Sequence, residues 1–405
     1  MTYPPRQTPG PSQEVTEVLG LYGPVAISEL LVQKIWLRGD FRRHALRTTD
    51  GRSLVVIRPG RWNRLGGPDF IGAEIELEGR RLLGDVEIHF HQRDWQAHGH
   101  DLNAAFDGVI LHALVFDPAE GERPARTAAG RVLPAVVLAP LLDAGLEEYA
   151  MKDALLALEQ TDPLELAAPL LEMPLDKRRE RLVQAARVRW VQKVHFAGKR
   201  LAALGWDEAC HHACLEVLGY ARNRGPMAEL AARHPLSEWA AADEVFVEQA
   251  YRSQRDGWRR QGLRPANQPR RRLQQYAALV RQAPQWPARV AAWLDDWPGG
   301  GEGLESTAAF RRRLRVGPLR KALLEGALCG AIASPRADTL VVDALLPLAA
   351  ARGEAERFWP LWYHWWPGDL PDALKVFLRT AHVLSPGWPF ANGPQQAALQ
   401  IVLER

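Results

Sequence analysis

Hydrophobic and polar positions follow two different rhythms along the chain. Up to about residue 140 the apolar residues come mostly in short runs stopped by Gly and Pro, whereas beyond it they recur at helical spacing. ISELLVQKIWL places Ile27, Leu30, Leu31, Lys34 and Ile35 along one side of a helix, with Ser28 near its start and Glu29 in its first turn. Leu54 to Ile57 reads as a strand ended by Pro59 and Gly60, followed by the turn-rich RWNRLGGPDF. FIGAEIELEGRRLLGDVEIHFH predicts two strands joined near Glu78-Gly79-Arg80. DWQAHGHDLNAAF predicts a loop with a short helix, GVILHALVF a strand of buried type, and Val132 to Leu138 a last short strand. Long runs such as DKRRERLVQAARVRWVQKVHFAGKRLAALG then predict helices, punctuated at PANQP, DDWPGGGEG and HWWPGD, with no fixed-period repeat. The expected organisation is a tail over 1–24, an α/β domain over 25–140 and an all-α domain over 141–405.

With 405 residues and 47% hydrophobic content the chain can bury two or three cores. No apolar run reaches the roughly 18 to 20 residues of a membrane helix, and MTYPPRQTPGPSQE lacks the apolar centre of a signal peptide, so the expected location is cytoplasmic. The three cysteines, Cys210, Cys214 and Cys329, argue against a disulfide framework. A net charge of +3 announces no polyanion partner by itself, so local clusters carry that question.

One stretch carries chemistry. In GDVEIHFH, strand alternation puts Asp85, Glu87, His89 and His91 on one face, a row without Lys, Thr or Ser. Asp94, His98, His100, Asp101 and, on the next strand, His112 continue the supply of oxygen and nitrogen donors that hold divalent ions. The competing reading is the solvated face of an antiparallel sheet. Closing the chain near Gly79 brings Asp69 to about 5 Å from the segment Glu87 to His89, opposite Ile88 with a two-residue turn or His89 with a three-residue turn. A bend at Gly66-Gly67-Pro68 offers a further way to aim Asp69.

The strings GPDF, GDVEIH, DWQAHGH and VILHAL resemble the signature of an uncharacterised bacterial family known only as a domain of unknown function. RPANQPRRRL and NGPQQAALQ resemble that family's helical region. Pro68-Asp69 followed by Glu87-Ile88-His89 on the hairpin partner, after a helix bearing Glu29, distantly resembles the restriction-endonuclease-like PD-(D/E)XK nucleases. That resemblance implies a central mixed sheet with flanking helices and metal-dependent cleavage of DNA or RNA phosphodiester bonds. Asp69 and Glu87 would hold Mg²⁺ or Mn²⁺, Zn²⁺ being less suited, with Asp85 or Glu29 in support. His89 stands where that superfamily carries Lys; as a neutral imidazole it would orient or deprotonate a water rather than supply fixed charge. Asp94, His98 and His100 would belong to this site, to a second ion, or to a polar loop. Two other functions compete: a catalytically degenerate nucleic-acid-binding protein, and a zinc- or manganese-dependent hydrolase of a small substrate built on His89, His91, His98 and His100.

In the helical half, Arg259, Arg260, Arg264, Arg270, Arg271 and Arg272 surround a proline-punctuated loop and would form a phosphate-binding patch, with Trp258 available to stack. The alternative is a solvated helix face. CHHAC at 210–214 lacks a second ligand pair for zinc and reads as core packing, and FWPLWYHWWPGD reads as an aromatic core or interface rather than a base-stacking platform. Trp62 and Asn63 are expected to shape the Gly-Gly-Pro turn, Trp95 to pack, and His112 to be a satisfied core histidine.

Overall fold

The computed structural model describes residues 29–43, 46–64, 66–142, 146–254, 257–300 and 305–404. The expected tail over 1–24, and Ile27 and Ser28 of the first predicted helix, lie outside these. The chain forms two compact units, one spanning Ile27–Tyr149 and the other running from Ala150 to the C-terminus. The first unit extends past the expected boundary at 140 because Phe41 bridges Leu142 and the Tyr149 hydroxyl donates to the Asp40 carbonyl.

This unit is a mixed sheet with helices. Helix α1 (Glu29–Arg38) precedes β1 (Leu54–Arg58), β2 (Arg61–Trp62), β3 (Phe70–Leu77) and β4 (Arg80–His89). Helix α2 (Asp94–Ala97) and two 3-10 turns lead to β5 (Val109–Leu114) and β6 (Ala135–Val137). The sheet order is β1-β3-β4-β5-β6, with β2 on β3; β1/β3 and β3/β4 are antiparallel, β4/β5 and β5/β6 parallel. Every residue of β5 is buried, His112 included, as a run otherwise apolar predicts for a strand covered on both faces.

Two local devices set the hairpin. Glu78 (φ 49°) and Gly79 (φ 77°) are both left-handed, which gives the two-residue turn whose twist suits adjoining strands. A bulge between Phe70 and Ala73 then slips the pairing by one: Ala73 faces Gly84, but Phe70 faces Val86. Gly72, left-handed at φ 66°, absorbs the extra residue, and the Asp85 carboxylate accepts from its N–H at 3.0 Å. Gly84 has no room for a side chain, since a Cβ there would lie 2.4 Å from Ile110 Cγ2 and 2.7 Å from the Gly108 carbonyl.

In α1 the buried residues are Leu31, Val32, Ile35 and Trp36, a face turned from the predicted one so that Leu30 and Lys34 are only half-buried. Trp36 settles it, because its large ring stacks on Phe41 and its Nε1 donates to the Pro59 carbonyl.

The second unit is helical, opening with the continuation of α3 (Leu146–Gln160), then α4 (Pro163–Leu171) and α5 (Leu175–Arg233), whose helical backbone breaks at Gly205, Tyr220 and Asn223. Its core holds the fully buried Trp190, Trp239, Trp286, Trp297, Trp362 and Trp365. The aromatic segment near 358–366 is therefore core, as its composition predicts. Among the described residues no helix is long and apolar enough to cross a membrane.

Candidate metal centre

The row predicted on β4 is not a wet face. Glu87 is 6% exposed and His89 1%, because β5 covers this end of the strand and α1 packs on it. The bulge places Asp69 across from Glu87 rather than from Ile88 or His89, and the two residues are cross-tied. Asp69 N–H donates to Glu87 Oε2 at 2.9 Å, and Ile88 N–H donates to Asp69 Oδ2 at 3.0 Å.

Helix α1 supplies two more groups, one turn apart. Gln33 Nε2 donates to Asp69 Oδ1 at 2.6 Å, while Gln33 Oε1 accepts from Trp62 Nε1 at 2.9 Å. An indole N–H can only donate, so Trp62 fixes which end of the Gln33 amide faces Asp69. Trp62 thus acts through Gln33 rather than on the turn; Asn63 does shape the turn, its side chain donating to the carbonyls of Gly66 and Pro68. Glu29 lies near enough for neighbouring carboxylates to act on it. Burial first, then the charges of Asp94 and Glu87, push its pKa up to about 7. Burial, then Glu87, likewise pushes Asp69 up to about 8, against the pull of the Ile88 and Gln33 hydrogen bonds. Glu29 and Asp69 therefore retain protons near neutral pH unless a cation replaces them.

Beside them stands a chain of imidazoles. His89 Nδ1 lies 2.9 Å from His112 Nε2, and His89 Nε2 lies 3.1 Å from His98 Nδ1. Glu87 Oε1 is 3.2 Å from His100 Nε2 and 3.7 Å from His89 Nε2. The His100 ring is sandwiched between Phe106, with centroids 3.8 Å apart, and His89 at 5.2 Å. Burial depresses His89 to about 2 and His112 to about 3, so both rings are neutral. His98 is exposed and Glu29, Asp69, Asp94 and His100 are half-buried, so the cluster reaches the surface.

Several expectations change at this point. His112 is buried but not a satisfied core histidine: it ends the imidazole chain, and its Nδ1 has no partner among the described residues. Trp95 packs as expected, edge-on to His89, His100 and His112. Asp85 is tied to the bulge at Gly72, and Glu29 rather than Asp85 joins the carboxylate pair. His91 lies beyond the end of β4 against Phe116, outside the cluster, while its N–H donates to Asp94 Oδ2. Gln33 and Phe106 escape a reading by ionisable residues, although Gln33 sits four positions after Glu29 and so shares its helix face.

The family described as "Protein of unknown function (DUF2851)" matches residues 29–251, more than half of the chain and all of the sheet. The chain belongs to the DUF2851 family. No curated protein and no solved structure matches it. In this DUF2851 protein the six arginines expected to form a phosphate-binding patch lie on and before the helix Pro269–Gln282, and the structure divides them. Arg272 is buried and bonded to the Tyr220 hydroxyl, Asn267 and Gln275, so it holds the fold. Arg270 pairs with Glu248 at 2.8 Å yet stays exposed, as do Arg259, Arg260, Arg264 and Arg271. Trp258 is 6% exposed, stacked on Tyr251 and bonded to its carbonyl, which removes it as a base-stacking platform. Cys210 and Cys214 are buried with their thiol pKa values raised by desolvation, and His211 bonds Tyr276 and the His234 carbonyl, as core packing requires.

Proposed function

We propose that the sheet-bearing unit is a divalent-metal-dependent phosphodiesterase with a restriction-endonuclease-like core. The observation that carries this reading is the cross-tied pair of Asp69 and Glu87 at one end of the β3/β4 hairpin, with Glu29 of α1 beside it. The order helix, three antiparallel strands, short helix and parallel strand supports the same reading. The donors fit a hard divalent ion: oxygen ligands, excess negative charge, and carboxyl groups pushed toward protonation by burial and by one another's charge. Asp69 and Glu87 would hold Mg²⁺ or Mn²⁺, with Glu29 in support. Such an ion, when bound, lowers the pKa of its water and offsets charge on phosphoryl oxygens.

The side chains divide the remaining work. His89, depressed to about 2, is a weak proton acceptor, so we assign the role of general base to Glu29, the carboxyl group that α1 brings beside the pair. Gln33 holds the Asp69 carboxylate in place. The exposed Arg259, Arg260, Arg264 and Arg271 are the groups we assign to nucleic-acid phosphates.

Cleavage of labelled single- and double-stranded DNA and RNA with added Mg²⁺ or Mn²⁺ tests the reading. Cutting that requires the ion, disappears in Asp69→Ala and falls about 10²- to 10⁴-fold in Glu29→Gln is expected. Nucleic-acid binding without ion-dependent cutting, unchanged in Asp69→Ala, would instead make this a degenerate core that only binds.

A further inference from the structure

The carboxylates do not account for the nitrogen donors beside them. Of the ring atoms of His89, His98 and His100, one from each lies within 4.8 Å of the others. Three of the six donor separations, 3.1 Å for His98 to His89, 3.2 Å for His100 to Glu87 and 3.7 Å for His89 to Glu87, lie near the edge of a tetrahedron. That edge is about 3.3 Å for an ion held at about 2.0–2.1 Å from its ligands.

We propose that His89, His98, His100 and Glu87 form a separate four-donor site for one borderline divalent ion of the Zn²⁺ or Co²⁺ type. Three nitrogens and one oxygen suit such ions better than Mg²⁺. The site is built rather than incidental. His112 takes the far nitrogen of His89, the second-sphere hydrogen bond that fixes a ligating ring, and when His89 donates from Nδ1 its Nε2 lone pair faces the cluster. Phe106 clamps the His100 ring, Trp95 walls the far side, and the exposed His98 leaves a way in for the ion. Glu87 has one oxygen on each side: Oε2 faces Asp69 and Oε1 faces the imidazoles. The inference does not depend on phosphodiester cleavage, because an ion can bind here in a protein that cuts nothing.

The test uses the full chain, stripped with a chelator and titrated with Co²⁺ while visible absorption is recorded, followed by Zn²⁺ loading and metal analysis after gel filtration. One equivalent of Co²⁺ with the strong visible bands of a four-coordinate ion, displaced by one equivalent of Zn²⁺, is expected. His98→Ala and His100→Ala should each abolish the bands with an unchanged circular dichroism spectrum, and His91→Ala should keep them. His112→Ala should weaken Zn²⁺ binding by about 10- to 100-fold. Asp69→Asn, which the proposed activity requires to be inactive, should keep the bands, so the two readings fail separately. Sub-stoichiometric binding, or unchanged affinity in folded His98→Ala and His100→Ala, would overturn the proposal.

Discussion

Gln33 bridges a donor-only indole and a carboxylate, and each end of its amide depends on the other. Trp62→Phe leaves the Gln33 oxygen without a donor and frees the amide to turn. It should lower stability by about 1 kcal/mol in urea titration and weaken Mn²⁺ binding without touching the ion. The carboxyl pKa values set a pH dependence of definite sign. Folded Glu29 and Asp69 keep protons up to about 7 and about 8, whereas unfolded they ionise near 4, so stability falls as pH rises across that window. His89 and His112 act oppositely, since their unfolded forms take up protons below 6.5 and their folded forms do not. Above pH 6.5 only the carboxyl effect remains. Hydrogen exchange of the β3 and β4 amides, corrected for intrinsic rates, should show protection lost between pH 6.5 and 8 in chelated protein and regained with Mn²⁺. A flat profile would mean that these carboxyl groups are not crowded.

At the scale of elements, the bulge decides whether the site exists. Had the register of Ala73 with Gly84 continued without the bulge, Asp69 would face Ile88, and strand alternation would aim its carboxylate away from Glu87. Gly72→Val, whose branched side chain resists the left-handed φ of 66° that the bulge needs, should therefore reduce ion-dependent activity while leaving the second unit's helical signal intact. Gly84→Ala tests the packing of the same hairpin: the Cβ would press on Ile110 and the Gly108 carbonyl, and a loss of about 1–3 kcal/mol is expected by thermal unfolding. The hairpin, its turn and the buried β5 were legible from apolar periodicity and from Glu78-Gly79. The proximity of Asp69 to Glu87 followed from chain closure alone. The one-residue slip was not legible, because a bulge costs little locally and leaves no fixed pattern. Nor was the burial of Glu87 and His89: alternation in β4 looks like that of a half-solvated strand, and the packing of α1 and the parallel pairing with β5 that enclose this end are set by distant residues. The buried face of α1 was misjudged by following Leu30 and Lys34, where Trp36 is the residue that packs.

At the scale of the whole molecule, the two units carry different claims. The arginine-rich segment keeps Arg259, Arg260, Arg264 and Arg271 at the surface after Arg272 and Trp258 are taken into the fold. If the four exposed groups contact phosphates, replacing all of them by Ala should reduce the slope of log affinity against log salt by about 3 to 4 on duplex DNA. An unchanged slope would leave them as a solvated face. The central claim lies in the sheet-bearing unit and concerns where an ion sits. Anomalous diffraction from crystals soaked in Mn²⁺ measures that directly. A peak within bonding distance of both Asp69 and Glu87, lost in Asp69→Ala, is the predicted result. Fully occupied Mn²⁺ elsewhere, with these two carboxylates bearing no peak, would contradict it.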